Sequence, residues 1–242
     1  MGELHLEVLK NRMLREFNVD ARFGKPRVAY RETIKSAVEA EGRFIRQTGG
    51  RGQFAVVRLR VEPFKSPDDS VTVTFENALR GGAIDARYVP AVEEGVREAA
   101  LAGIVSGYPL IDVKVTLLDG QDHPVDSSEM AFEAAGALAL RRAVEKAGVV
   151  LLEPLMKLEI VTPNAFFGEV TADLLSRRAT VKASDLRGSM RIIQAQAPLA
   201  EMFGYATALR GLTQGRASYT MEPDVYAPVP ESLAERLSEG LW

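Results

Sequence analysis

The part of the sequence best suited to binding chemistry is a basic, glycine-rich segment at residues 42–52, GRFIRQTGGRG. It carries three arginines and few side chains that a core could bury. Guanidinium groups and the backbone N–H groups of a glycine loop both donate well to phosphate oxygens. A segment of this composition can also be a solvated turn, since no phosphate-loop spacing accompanies it. The residues alone leave both interpretations open.

The flanks of this segment predict two strands. Apolar and polar residues alternate on both sides of it, with the apolar positions at Val38, Ala40, Gly42, Phe44, Ala55, Val57, Leu59 and Val61. This period of two is typical of strands with one face buried on a core. We therefore predict an antiparallel pair that holds out the basic loop.

A second group of reactive side chains lies at residues 119–126, DGQDHPVD, where His123 stands among acids. An EF-hand needs a longer loop with a central glycine and a terminal glutamate, and zinc needs more Cys or His ligands. We therefore predict no metal site. An N-cap from Asp126 or Ser127 explains the acids but leaves His123 unexplained.

Ser127 and Ser128 beside His123 have the residue types of a nucleophile and its base. The chain has no Gly-x-Ser-x-Gly elbow, and no third group is placed to orient the histidine. The Walker A spacing of phosphate-binding loops is also absent from the sequence. We therefore predict neither catalytic residues nor a bound cofactor in this chain.

Charge is distributed unevenly along the chain. Residues 1–60 hold 13 Lys and Arg against 7 Asp and Glu, whereas residues 61–242 hold 17 against 26. Nucleic-acid contacts should therefore concentrate in the first quarter.

The composition also excludes some classes of site. The chain has no cysteine, which excludes disulfides and thiolate metal sites, and it has no apolar run long enough to cross a membrane.

Residues 25–150 predict a first folded unit. Strand patterns at 28–34, 38–44, 54–62 and 71–75 precede a helix from Pro90 to Gly103 and a strand at 111–118. Asp119 and Gly120 then predict a turn, and Asp126 with Glu129 has the spacing of a capping box that opens a second helix. This order predicts an α+β layer.

Residues 151–223 predict a second unit with the β-α-β-β-α-β order of a ferredoxin-like domain. The predicted elements are a strand at 155–161, a helix through Phe167 and Leu174, a hairpin turning at 185–188, a helix at 201–212 and a strand at 217–221.

The two ends of the chain each predict a helix. Leu6, Leu9, Met13 and Phe17 lie on one helical face and are followed by a strand pattern, so we expect residues 1–24 to be the remnant of a preceding α/β domain. Residues 224–242 predict an amphipathic tail helix, with leucines at 233, 237 and 241, that packs back on the first unit.

Several motifs resemble the C-terminal half of bacterial-type elongation factor G. They are MGELHLE at 1–7, GKPRVAYRET at 24–33, RQTGGRGQ at 46–53, VDSSEMAF at 125–132, PLAEMFGYAT at 198–207 and TQGR at 213–216. The resemblance covers nearly the whole chain, in order. It implies for the first unit the fold of the second domain of small-subunit ribosomal protein S5, and for residues 1–24 the end of a preceding ferredoxin-like domain.

The resemblance also implies binding residues. Those at the tip of the first unit would meet RNA: Arg43, Arg46, Gln47, Thr48, Gly49, Gly50, Arg51, Gln53 and His123. In the second unit, large-subunit contacts are implied for Arg177, Arg178, Gln214 and Arg216, which could otherwise be a solvated face.

By the same resemblance, the chain would be the ribosome-binding arm of a monomeric, cytoplasmic translational GTPase that promotes translocation of tRNA and messenger. The arm would enter the small-subunit decoding site and face the factor-binding region of the large subunit. GTP and Mg²⁺ would be held by an upstream domain of the same protein and not by this chain. No membrane partner is expected.

Two departures from the family pattern widen the choice of role. The sequence FAVV at 54–57 replaces Tyr-Gly-His-Val, and Ala179 replaces a glycine. A paralogue acting in ribosome recycling or in tetracycline-type ribosomal protection therefore stays open. Outside this family, an independent small-molecule enzyme on the same fold and a protein-binding module are the alternatives.

Overall fold

In a computed structural model of the chain, the described residues are 8, 12–17, 19, 27–47, 52–67 and 72–239. They form two compact units. The first unit contains Tyr30–Leu152 and the chain from Pro228 onward. The second unit contains Glu153–Ala227 together with the described residues before Tyr30.

The described part of the first unit has a four-stranded sheet and two long helices, and a short C-terminal helix also belongs to it. Its elements in chain order are β1 (Arg31–Ile34), β2 (Val38–Arg46), β3 (Gln53–Pro63), β4 (Val73–Asn77), α1 (Val89–Ala102), β5 (Val113–Gln121), α2 (Glu129–Ala147) and the opening residues of β6 (Val149–Pro163). The sheet order is β2-β3-β5-β4, with only β4 and β5 parallel. Strand β1 pairs with the start of β6.

The core of the first unit follows the predicted periodicities. All four predicted apolar positions of β3 are fully buried, and so are Phe132, Ala135, Ala139 and Ala143 on one face of α2. Helix α2 approaches β2 very closely, since a Cβ added to Gly42 would lie 2.0 Å from the carbonyl oxygen of Ala135. Small residues on both elements therefore fix α2 beside β2.

The prediction of a turn at Asp119 and Gly120 is wrong. Both residues lie inside β5, where they pair with Arg58 and Val57 next to a register shift in β3. A Cβ on Gly120 would lie 2.7 Å from the carbonyl oxygen of Val56. The glycine thus permits close strand approach, and β5 continues to Gln121.

A buried carboxylate, Glu32, holds the loop that follows α1. Its side chain is fully buried and accepts backbone N–H donors of the loop at 2.5–3.3 Å, from Ile104, Val105, Ser106 and Tyr108. A buried carboxylate is tolerated when several donors satisfy it. The loop N–H groups therefore take the place of water around the carboxylate, and the carboxylate satisfies these N–H groups.

The second unit has the predicted β-α-β-β-α-β order, and the α+β fold class is confirmed. After β6 come α3 (Phe167–Ser176), β7 (Thr180–Arg187), β8 (Met190–Pro198), α4 (Tyr205–Thr213) and β9 (Ser218–Pro228). The sheet order β9-β6-β8-β7 is that of a ferredoxin-like domain.

The hairpin turn in this unit lies later than predicted. Asp185 and Leu186 still pair with Ile192 and Arg191, so β7 continues to Arg187. The chain turns at Gly188, whose φ of +62° favours glycine.

The ends of the described chain are helical. The final helix, α5 (Glu231–Glu239), belongs to the first unit, and Leu233 and Leu237 are half-buried on it. Near the start, residues 12–15 are helical, with Met13 and Phe17 exposed. The predicted positions Leu6 and Leu9, and the strand around 21–23, lie outside the described residues. Among the described helices, none combines the length and apolar character that a membrane crossing requires.

Candidate nucleic-acid interface

The basic segment joins β2 to β3, as its flanks predicted. The two strands pair antiparallel from Val38 with Val61 up to Arg46 with Gln53, the last pair before the connection. The predicted residues Thr48, Gly49, Gly50 and Arg51 lie outside the described residues. The hairpin therefore places Arg46, Gln47 and Gln53 at the base of this connection.

The arginines of β2 are exposed to solvent. Arg43 forms an ion pair with Glu41 and keeps 63% of its side chain exposed. The guanidinium carbon of Arg46 lies 5.0 Å from the centre of the Phe44 ring, and Gln47 is exposed beside it. Stacking on an aromatic ring leaves the outer face and edges of a guanidinium free to meet another partner.

Asp126 connects the hairpin to the loop that contains His123. Its Oδ1 accepts the backbone N–H of Gly52 at 3.0 Å, and its carbonyl oxygen accepts the N–H of Phe54 at 2.9 Å. The prediction that Asp126 or Ser127 caps α2 is wrong, because Ser128 is the N-cap and its Oγ accepts the N–H of Ala131 at 3.2 Å. Asp126 instead accepts hydrogen bonds from the hairpin, at Gly52 and Phe54.

Ser127 adds a second link between the same two segments. Its buried hydroxyl donates to the carbonyl oxygen of Phe54 at 2.7 Å and accepts the backbone N–H of His123 at 2.8 Å. The hydroxyl proton is thus used in a structural hydrogen bond, away from the imidazole. Ser127 therefore joins the hairpin to the loop of His123.

His123 is held in one orientation by its own loop. Its Nδ1 accepts the backbone N–H groups of Val125 at 3.3 Å and Asp126 at 3.2 Å, so the proton of the neutral ring is on Nε2. The ring centre lies 6.0 Å from that of Phe54, and 48% of the side chain is exposed. His123 therefore presents an N–H donor beside the base of the basic hairpin.

The Asp126 carboxylate lies 3.5 Å from His123 Nδ1. Within the described part of the chain, no three His, Asp or Glu side chains converge as a metal ion would require. The acids around His123 have local partners instead: Asp119 accepts the N–H of Gly120, and Asp122 accepts that of Asp85.

In the second unit, Arg177 and Arg178 are engaged by their own protein. Arg177 donates to the Asp173 carboxylate at 2.9 Å and to the Glu201 carbonyl oxygen at 2.7 Å. Arg178 forms a bidentate pair with the buried Glu153 at 2.7 and 2.9 Å, and the two carboxylates of Glu153 and Glu201 raise the Arg178 pKa above its ordinary value. Packing within the unit thus accounts for both side chains, and their RNA contacts stay a prediction.

Arg178 also adopts a left-handed backbone, with φ of +58°. It directly follows the C-cap of α3, where glycine is the usual residue. This backbone conformation is unfavourable for a residue with a Cβ, and Arg178 adopts it while its side chain is fixed by the bidentate contact with Glu153.

Gln214 and Arg216 are more accessible. Both are exposed, and Arg216 donates to Gln214 Oε1 at 2.5 Å while lying 5.3 Å from the centre of the Phe166 ring. Arg191 stacks on the adjacent Phe167 at 4.5 Å, a pairing that the sequence reasoning missed. Only the fold brings β8 beside the start of α3, so no local pattern could have indicated it.

Comparison with known proteins identifies the two units separately. The family model described as elongation factor G, domain IV, matches residues 26–148, and the one described as elongation factor G C-terminus matches residues 150–237. An elongation factor G from Fervidobacterium nodosum is 52% identical over 240 residues, which are 99% of this chain and 34% of the relative. A crystal structure of a protein from Thermus thermophilus matches with a TM-score of 0.89 and 40% identity, over 99% of this chain and 35% of that one. The chain thus spans about a third of the length of these relatives.

Proposed function

The chain belongs to the elongation factor G family, and from this premise we propose that it is the ribosome-binding arm through which such a factor moves tRNA and messenger. In this proposal the first unit enters the small-subunit decoding site, and the second unit faces the factor-binding region of the large subunit. GTP and Mg²⁺ are handled elsewhere in the same protein, by an upstream GTPase domain. The factor acts as a monomer in the cytoplasm.

The observation that carries this proposal is that hydrogen bonds connect the base of the basic hairpin to the loop of His123. Asp126 and Ser127 each bridge the two segments through short hydrogen bonds. A loop attached at its base in this way presents its arginines from a defined position, which lowers the ordering cost of binding. Phosphate contacts from Arg43, Arg46 and Arg51 would fix the position of the arm on RNA.

His123 would then act as a positioning donor. Its Nδ1 is occupied by backbone N–H groups, and Nε2 carries the proton beside Phe54. An N–H donor of this kind can meet a base edge, a ribose hydroxyl or a phosphate of the codon–anticodon helix. Proton transfer has no role in this proposal.

For the second unit we propose that large-subunit RNA meets Gln214 and Arg216. Both are exposed, and Arg216 lies over the ring of Phe166, whereas Arg177 and Arg178 form ion pairs with carboxylates of their own unit. A paralogue in ribosome recycling or ribosomal protection would use the same surfaces, and translocation is the role that the family name favours.

A chimera tests the proposed function. Residues 1–242 of this chain replace the matching residues of the Fervidobacterium nodosum factor, and single-turnover movement of tRNA and messenger is measured. We expect movement close to the parent rate, and a loss of at least about tenfold when Arg46→Glu and Arg51→Glu are combined. The control is Arg187→Glu, an exposed arginine of β7 outside the proposed contacts.

Two results would contradict this proposal. Normal movement by the double variant would show that the hairpin is not the contact. A chimera that splits ribosomes but does not move tRNA would assign the chain to the recycling role instead.

A further inference from the structure

A groove runs along the outer edge of β2, between this strand and α2. Its lining comes from Arg43–Arg46 of β2 and from Ala134, Ala137, Leu138 and Arg141 of α2. The groove is open and encloses about 510 Å³. This volume lies within the range of small-ligand sites.

Every charged residue that lines the groove is an arginine. They are Arg43, Arg46 and Arg141, drawn from both walls. Arg43 forms an ion pair with Glu41, which partly neutralises its charge. Among the described residues, no carboxylate lies within 4.0 Å of the guanidinium groups of Arg46 or Arg141. The groove is therefore suited to a ligand with more than one negative charge.

The backbone of β2 adds hydrogen-bonding groups to the same surface. Strand β2 is at the end of its sheet, so its outer N–H and C=O groups lack a neighbouring strand within the described residues. One of them, the carbonyl oxygen of Glu41, accepts Arg142 at 2.8 Å. Charged side chains often protect such an edge from strand pairing. That role explains Arg43 and Arg46 but not Arg141, which projects from a helix.

The lining also contains apolar surface between the arginines. Ile45 is 57% exposed, and Leu138 and Phe44 are half-buried. An inorganic anion has no apolar group that could pack on this surface. An unpaired nucleotide can pack its base face or its ribose against it. In a duplex the base faces are already stacked.

We propose that this groove binds a short segment of single-stranded RNA. Arg43, Arg46 and Arg141 contact successive phosphates, and a base or ribose lies against Ile45 and Leu138. The site deepens the proposed function and rests on it, because it extends the RNA contact from the hairpin connection along the side of the first unit. Arg141 is its diagnostic residue, since it lies far from the connection in sequence and on the opposite wall.

Fluorescence anisotropy with the whole chain tests this site, using a labelled oligouridylate of about ten nucleotides. We expect Arg141→Gln to weaken binding about three- to tenfold and to reduce the salt slope by about 0.7, the value for one phosphate contact on a single strand. Ile45→Ser should weaken binding to the oligonucleotide but leave the affinity for tripolyphosphate unchanged. The control is Arg187→Gln, which removes the same charge outside the groove. Circular dichroism checks that all variants stay folded.

The outcomes separate this site from the hairpin contact. Weaker binding by Arg141→Gln but not by Arg187→Gln supports the groove. If only a variant combining Arg46→Gln with Arg51→Gln binds less well, the groove proposal is overturned and the hairpin contact stands. If none of the variants differs from the unchanged chain, both proposals fail. Full displacement of the RNA by equimolar tripolyphosphate would also overturn the groove proposal, because it would indicate a simple anion site.

Photo-crosslinking gives a readout that does not depend on affinity. An oligonucleotide carrying 4-thiouridine should crosslink to the peptide containing residues 134–141 in the unchanged chain and lose this crosslink in Arg141→Gln. Crosslinks confined to the second unit would contradict the proposed site.

Discussion

The Asp126 carboxylate accepts the backbone N–H of Gly52 over 3.0 Å, across 74 positions of sequence. This contact and the Ser127 hydroxyl join the basic hairpin to the loop of His123. A charged acceptor makes a stronger hydrogen bond than a neutral one. Asp126, which the sequence suggested as a helix cap, therefore holds the base of the proposed RNA-binding hairpin.

Replacing Asp126 by alanine should loosen the base of the hairpin without unfolding the first unit. The Gly52 N–H loses a charge-assisted partner, and its hydrogen exchange should accelerate about tenfold or more. The Phe54 N–H bonds the backbone of residue 126 and should stay protected, which makes it an internal control. Asp126→Asn keeps an acceptor oxygen, so the Gly52 N–H should exchange more slowly in this variant than in Asp126→Ala. Equal exchange at Gly52 in all three proteins would show that the carboxylate does not hold it.

Replacing His123 should separate its positioning role from proton transfer. Nitrogen NMR of the unchanged chain should show the Nε2–H tautomer at neutral pH, as the two N–H donors to Nδ1 require. In the chimeric factor, His123→Lys should retain more tRNA movement than His123→Ala, because lysine still offers a donor toward RNA. Complete loss in both variants, together with an activity that titrates near pH about 6.5, would favour acid–base chemistry instead.

Replacing Glu32 by glutamine should destabilise the first unit by about 2–5 kcal/mol. The amide keeps a single acceptor oxygen and turns an NH₂ group toward backbone donors, so buried N–H groups of the loop lose their partners. Urea unfolding of the whole chain measures the loss, and hydrogen exchange should locate it at residues 104–108. The control is Glu98→Gln, on the exposed side of α1, with an expected change within about 0.5 kcal/mol. Indistinguishable unfolding of the two variants would contradict the role of Glu32.

Replacing Arg178 by glutamine should destabilise the second unit by about 3–5 kcal/mol, because Glu153 is left buried without its countercharge. A double variant with Glu153→Gln should recover part of this loss. The matched control is Arg187→Gln, whose side chain is exposed. Thermal unfolding followed by near-ultraviolet circular dichroism gives the comparison. A stable Arg178→Gln protein that fails only in ribosome binding would instead support a direct RNA contact.

Local sequence patterns determined much of the fold. The alternation through Ala55, Val57 and Leu59 predicted which face of β3 is buried, and the small residues of α2 predicted close helix packing. Both signals are repeats along one element, so they can be read without knowing the neighbours. The motifs around residues 46–53 and 198–207 then predicted the family, which the comparisons confirmed.

The tertiary structure decided how individual polar residues are used. Asp126 and Ser127 have cap-like sequence contexts, but donors and acceptors from the hairpin compete for them, and Ser128 caps the helix instead. Asp119 and Gly120 form part of a strand because β3 lies close enough to pair with them. Arg178 pairs with Glu153 only once distant elements are packed, and the same is true of the groove that Arg46 and Arg141 both line. Hydrogen bonds and ion pairs are satisfied through space, so sequence alone supplied the candidate groups while packing selected their partners.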